Sequence, residues 1–192
     1  NSRTTATDSR WTSPGVIVSL GPELTLSGLS LLMMNNLPDL ILELADKLQK
    51  RQWLLVTAES CTGGLVSAAL TEIPGSSLWF ERGFITYSNA AKEELLDVPS
   101  SLLRQYGAVS EEVAAAMAEG ALTHSKGHFA LSVTGIAGPE GGTPVKPVGT
   151  VCFGWIGAGI PVHTCTKQFS GTRQDIRMAA CYEALVGIKN LL

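Results

Sequence analysis

The chain has 192 residues, of which 45% are hydrophobic and only 16% charged. A chain this apolar can bury a core and is not disordered, and its length suits one domain of ordinary size. Twenty Gly and nine Pro exclude a coiled coil and favour many short elements. The net charge of −3 leaves no basic stripe to release counterions from a phosphate backbone, so no nucleic-acid partner is expected.

Residues 1–36 form an N-terminal extension or arm. Ser2, Thr4, Thr5, Thr7, Ser9, Thr12 and Ser13 cluster there with Arg3 and Arg10, a composition faintly like that of an organelle transit segment. Its apolar residues Leu24, Leu26, Leu29, Leu31 and Leu32 would pack on the domain or on a second copy, hence an expected homo-oligomer. No stretch reaches the roughly 20 apolar residues of a membrane span, so no membrane partner is expected.

Regular structure is expected from Pro38, in the first turn of a helix capped by Asn36. Leu40, Ile41, Leu44 and Leu48 recur at helical spacing. Residues 53–57 read as a buried strand, and a tight turn at residues 58–64 leads into a helix from Leu65. A second strand is expected over 84–88, a short helix over 89–96 and another over 99–106. A longer helix capped by Ser110 runs to about Lys126. The third strand covers 128–134 and a glycine-rich loop covers 135–147. Two strands, 150–156 and 162–169, form a hairpin, and the last helix spans 172–192. Alternating strands and helices followed by a hairpin predict an α/β fold, a three-layer α/β/α sandwich with a mixed, mainly parallel sheet.

Four segments carry chemistry. Ser60 stands after a buried strand, where orphan N–H groups and a helix dipole favour an oxyanion. Gly63 and Gly64 permit close approach there. As a lone signal, Ser60 reads first as an N-cap. Tyr87 and Ser88 end a strand and Lys92 follows on a short helix; taken singly, they read as a packed tyrosine and a solvated lysine. The loop around Thr134, Gly135, Gly138, Gly141 and Gly142 could nest a phosphate or be structural. It lacks both the Walker ending and the dinucleotide register. Arg173 would sit in the first turn of the last helix, where a cation is unfavourable unless an anion binds or Asp175 or Glu183 pairs with it.

Together, residues 58–64, Tyr87-Ser88-Asn89 with Lys92, Gly107-Ala108-Val109-Ser110, residues 132–139 and Gly171-Thr172-Arg173 resemble the CinA C-terminal domain family. The resemblance covers residues 37–192 as one amidase-like domain. The large N-terminal domain of full-length CinA proteins is not part of it, and any activity of that domain is expected to be missing. Stand-alone bacterial members of the family are nicotinamide-nucleotide amidases of the PncC type. The resemblance therefore implies hydrolysis of nicotinamide mononucleotide to nicotinate mononucleotide and ammonia, in pyridine-nucleotide salvage toward NAD. It implies Ser60 as nucleophile, Lys92 as general base and Tyr87 beside them. Glu59, Thr62, Gly63, Gly64, Thr134, Gly135, Gly138 and Arg173 would bind substrate, with Arg173 on its phosphate. The N–H groups of residues 61–64 are the natural oxyanion donors. Glu59 has a second reading, as a carboxylate that holds the turn.

A free lysine is protonated at neutral pH, so Lys92 must be buried and its pKa lowered to act as a base. Cys61, adjacent to Ser60 at a helix start, is the rival nucleophile. No cofactor and no metal are implied, since Cys61, Cys152, Cys165, Cys181 and the three histidines show no ligand spacing. Unpaired thiols suit a reducing, cytoplasmic setting. Two other readings are a catalytically silent nucleotide-binding or regulatory module and an interaction domain that uses the arm.

Overall fold

The computed structural model describes residues 26–192. The segment before residue 26, and the side chains of Leu26, Leu29, Leu31 and Leu32 assigned above to packing or self-association, lie outside the described residues. Five strands form one mixed sheet in the order β2-β1-β3-β4-β5. They are β1 (Leu55–Glu59), β2 (Phe80–Ile85), β3 (Phe129–Gly135), β4 (Thr150–Gly157) and β5 (Ile160–Gln168). β1 pairs in parallel with both β2 and β3, whereas β3–β4 and β4–β5 are antiparallel. Parallel and antiparallel pairings are thus equal in number, the hairpin contributing more of the sheet than the alternating pattern suggested.

Alternation along the strands divides the molecule into layers. Phe129, Leu131 and Val133 of β3 and Val151, Phe153 and Trp155 of β4 face one core. That core is closed by α1 (Leu26–Lys50), α2 (Leu65–Thr71) and α6 (Arg173–Leu191). Val56, Ala58 and Ala130 face the other, closed by α3 (Asn89–Leu96), α4 (Ser100–Tyr106) and α5 (Glu111–Thr123). Leu40, Ile41, Leu44 and Leu48 of α1 are all buried, each worth about 1.5–3 kcal/mol relative to exposure. Trp155 stacks on Phe153 at 5.5 Å, and its indole N–H donates to Ala184 O at 2.9 Å, so a large ring enters the core without an unmet donor.

Three expectations are corrected. Helix α1 starts before Pro38, with Pro38 inside it rather than in its first turn and Asn36 within the helix rather than capping it. Pro38 is exposed on the helix surface. Strand β2 begins at Phe80 and ends at Ile85, earlier than the 84–88 expected; its edge position leaves Glu81, Arg82 and Gly83 in a strand without a continuous apolar pattern. Ser60 is not the cap of α2: that helix begins at Leu65, where it was expected, and its N-cap position is Gly64.

The cap expected at Ser110 holds: it accepts from Val113 N at the start of α5. Ser88, expected at a strand end, and Thr172, expected inside the last helix, instead cap α3 and α6, accepting from Ala91 N and Asp175 N. Thr172 and Asp175 complete a reciprocal capping box. β1 leads through α2 to β2 on one side of the sheet, and β2 leads through α3–α5 to β3 on the other side of β1. The chain therefore reverses direction around β1. In such sheets a crevice opens at the carboxyl ends of the strands.

Candidate active site

Ser60 follows β1 at this crevice, Thr86 and Tyr87 follow β2, and Thr134 and Gly135 end β3. The crevice holds a cleft of about 270 Å³, lined by Ser60, Cys61, Tyr87, Lys92, Thr134, Gly135, Gly138 and Arg173. Asn89, Ala108, Val109, Ile136, Ala137, Glu140 and Gly141 complete its walls.

The turn after β1 is fixed by its sequence. Gly63 and Gly64 adopt φ of +59° and +94°, a left-handed pair that only glycine tolerates cheaply. Glu59 is fully buried beneath this turn. Its Oε2 accepts from the N–H groups of Gly64 and Val66, both at 3.0 Å. Its Oε1 accepts from Ser67 N at 2.8 Å and Ser67 Oγ at 2.7 Å. Glu59 is therefore not a cleft residue, and both its oxygens hold the turn, the second reading given above. Thr62, Gly63 and Gly64 likewise shape the turn and do not line the cleft. Gly63 N donates to Ser60 O at 3.0 Å, which removes Gly63 and Gly64 from the expected oxyanion donors.

Lys92 is the decisive side chain. It is 1% exposed, on a helix that packs across the crevice. Its Nζ donates to Ser60 Oγ at 2.9 Å and to Thr86 O at 2.7 Å. Among the described residues no carboxylate pairs with it. Burial lowers its pKa from the usual 10.5 to about 8, opposed by the nearby Cys61 thiol. The opposite holds for Cys61, whose burial pushes the thiol up to about 12. A thiol so reluctant to ionise is a poor rival nucleophile.

Thr134 Oγ1 donates to Ala108 O at 2.8 Å and ties the end of β3 to the segment before α5. Arg173 is exposed at the cleft mouth and donates to Gly138 O at 2.6 Å and to Tyr87 Oη at 2.9 Å. Tyr87 is 61% exposed, with its hydroxyl on Arg173 and no hydrogen bond to Ser60 or Lys92. Its place is the rim of the cleft, not the nucleophile's proton path.

Two further cations, Lys146 at the close of the glycine loop and Arg177 on α6, bind backbone carbonyls around the cleft. Lys146 Nζ donates to Tyr106 O and Val109 O, at 2.7 and 2.6 Å, clasping the glycine loop to the opposite wall. Arg177 of α6 donates from Nε to Cys61 O at 3.2 Å and from Nη2 to Thr62 O at 2.6 Å. Its partners are more than a hundred positions away, and no local pattern announces them. Among the described residues no three His, Cys, Asp or Glu side chains gather as metal ligands, and no helix is long and apolar enough to cross a membrane.

With this geometry in hand, the family described as "CinA C-terminal domain" matches residues 38–192. The chain belongs to that family. A relative named nicotinamide-nucleotide amidohydrolase PncC, from Enterobacter agglomerans, is 52% identical over 150 residues, covering 78% of this chain and 92% of its own. The protein of the same name from Escherichia coli K12 is 48% identical over 146 residues, covering 74% and 87%. Among solved structures, the competence/damage inducible protein CihA from Agrobacterium tumefaciens superimposes with a TM-score of 0.79 at 41% identity. That match covers 81% of this chain and 95% of the other. This family is thus the frame for the Ser60–Lys92 pair.

Proposed function

We propose that the protein is a nicotinamide-nucleotide amidase that converts nicotinamide mononucleotide to nicotinate mononucleotide and ammonia through a serine–lysine acyl-enzyme. The observation that carries this is the buried, carboxylate-free contact between Lys92 Nζ and Ser60 Oγ at 2.9 Å. The names and identities of the PncC relatives support the substrate.

At pH 7 a lysine with a pKa of about 8 is neutral in about one molecule in ten. In that form its lone pair accepts the Ser60 proton as Oγ attacks the carboxamide carbon. The tetrahedral oxyanion meets the N–H of Cys61, which lines the cleft and has no oxygen acceptor among the described residues. Protonated Lys92 then gives its proton to the departing nitrogen, and ammonia leaves the acyl-enzyme. Water adds to the ester carbonyl, Lys92 takes a proton from that water, and Ser60 is released protonated. Arg173 at the mouth is the cation for the 5′-phosphate. Its present partners are a carbonyl and a phenol, which an anion displaces without breaking an ion pair.

The four free thiols suit a cytoplasmic setting, where reduced thiols persist. Purified protein with nicotinamide mononucleotide should release ammonia and nicotinate mononucleotide. Ser60→Ala should abolish release, by at least about 10³-fold, and Cys61→Ala should retain most of it. Nucleotide binding without release by the wild type would instead identify a silent binding module.

A further inference from the structure

The turn that carries Ser60 is held peptide by peptide, and each pin can be named. Ser60 O accepts from Gly63 N at 3.0 Å, which fixes the Ser60–Cys61 peptide. Cys61 O and Thr62 O accept from Arg177, which fixes the next two. Gly64 N donates to Glu59 at 3.0 Å, which fixes the Gly63–Gly64 peptide. A trans peptide is planar with its N–H opposite its C=O. Turning the Cys61 carbonyl onto Arg177 therefore turns the Thr62 N–H away from α6. Pinning Ser60 O in the same way orients the Cys61 N–H. Of these two residues only Cys61 lines the cleft, and its N–H lacks an oxygen acceptor among the described residues. A fixed donor without an acceptor is what an oxyanion requires, since no reorganisation is then needed as charge develops.

Arg177 makes this arrangement with charge as well as geometry. Among the described residues no carboxylate lies within ion-pair reach of its guanidinium, and its hydrogen bonds go to the two carbonyls. A cation on a carbonyl polarises the peptide and strengthens the N–H on its far side; on Thr62 O that N–H is Gly63's, whose bond to Ser60 O in turn polarises the Cys61 N–H. The two donors, Nε and Nη2, address two successive carbonyls, a fork that a lysine cannot reproduce. Arg177 also lies one helical turn from Arg173, on the same face of α6. One rigid element thus holds the nucleophile's turn and carries the cation at the cleft mouth.

We infer that Arg177 is a positioning residue that orients and polarises the Cys61 N–H of the oxyanion site, through the Thr62–Gly63 and Ser60–Cys61 peptides, and that it touches neither substrate nor Lys92. The inference rests on the amidase reading above and deepens it.

The test compares wild type, Arg177→Met and Arg177→Lys in two assays. In the first, ammonia release from nicotinamide mononucleotide gives kcat and KM separately. Arg177→Met should lower kcat by about 10–100-fold, as for a misplaced donor and short of the about 100–1000-fold of a donor removed outright, with KM changed less than about threefold. Arg177→Lys should recover only part of the loss. The alkaline-rising limb of the rate should stay at about 8 in both variants, because the Lys92 environment is untouched. In the second, a fluorophosphonate probe labels Ser60 through a tetrahedral adduct that needs the same donor but no nucleotide. Arg177→Met should slow labelling by at least about tenfold, while circular dichroism and a cooperative melt verify that it is folded.

Equal labelling rates, a loss confined to KM, or a limb that moves toward 10.5 would each overturn the inference and leave the amidase reading standing. A wild type that is labelled at Ser60 but releases no ammonia removes the substrate and leaves Arg177 tested by the probe. A wild type that is neither labelled nor active removes the serine mechanism, and Arg177's role with it.

Discussion

Burying Lys92 costs stability that depends on pH in a calculable way, and Lys92→Met isolates it. The folded protein holds this amine at a pKa of about 8, against an ordinary 10.5. Below pH 8 both folded and unfolded chains carry the proton, and the fold bears the full cost of a desolvated ammonium. Between 8 and 10.5 the unfolded chain binds more protons than the folded one, so stability rises with pH across that window. Above 10.5 the cost is gone. With about 1.4 kcal/mol per pK unit, the difference of about 2.5 units amounts to about 3 kcal/mol at pH 7 and falls below about 1 kcal/mol at pH 10.

Methionine has a similar length and no charge, so the variant lacks this slope. It also loses the amine's bonds to Ser60 and Thr86, a loss of the order of 1–2 kcal/mol that does not vary with pH. The robust quantity is therefore a difference of differences. Urea unfolding of both proteins at pH 7, 8, 9 and 10 should show the variant's stability relative to wild type falling by about 2 kcal/mol from pH 7 to pH 10. A relative stability that is flat over that range would refute the claim that the amine is held as a reluctant cation.

Other consequences are open to direct measurement. Glu59→Gln replaces a carboxylate that accepts four hydrogen bonds with an amide whose NH₂ faces donors; unfolding should show a loss of about 2–3 kcal/mol, with activity falling because the turn loosens. A Cβ at Gly154 would meet Ala114 O at 2.6 Å and Ser132 Oγ at 2.7 Å, so Gly154→Ala should push α5 off the sheet and cost about 1–3 kcal/mol by denaturant titration. Arg173→Met should raise KM for nicotinamide mononucleotide by about tenfold or more, with a far smaller effect on an analogue that lacks the phosphate.

The parts of the fold legible in sequence are those where one local signal sufficed. The cap at Ser110 and the buried stripe of Leu40, Ile41, Leu44 and Leu48 lie where cap chemistry and spacing put them. Strand β2 was misplaced because an edge strand has little to bury, and Glu81 and Arg82 break the apolar run that marks an interior strand. Pro38 was misread because proline usually opens a helix, whereas here its exposed ring is carried inside one.

The site was legible only in part. Local pattern made Ser60 a cap and Lys92 a surface lysine; the resemblance of several motifs in order is what paired them across 32 positions. Whether Glu59 faces substrate or backbone turns on four hydrogen bonds that no spacing encodes. The resemblance puts Tyr87 beside the reacting pair, whereas its hydroxyl turns to Arg173 at the rim. Arg177 and Lys146 act on carbonyls, which have no sequence signature at all.

The claim on which the rest depends is that a buried, neutral Lys92 activates Ser60, and the pH dependence of kcat/KM for ammonia release tests it most directly, because that ratio reports the free enzyme's base. The account predicts activity that rises tenfold per pH unit below a midpoint of about 8 and then levels, and that is lost in Lys92→Met at every pH. Full activity in Lys92→Met, or a midpoint at the 10.5 of a solvated lysine, would contradict it.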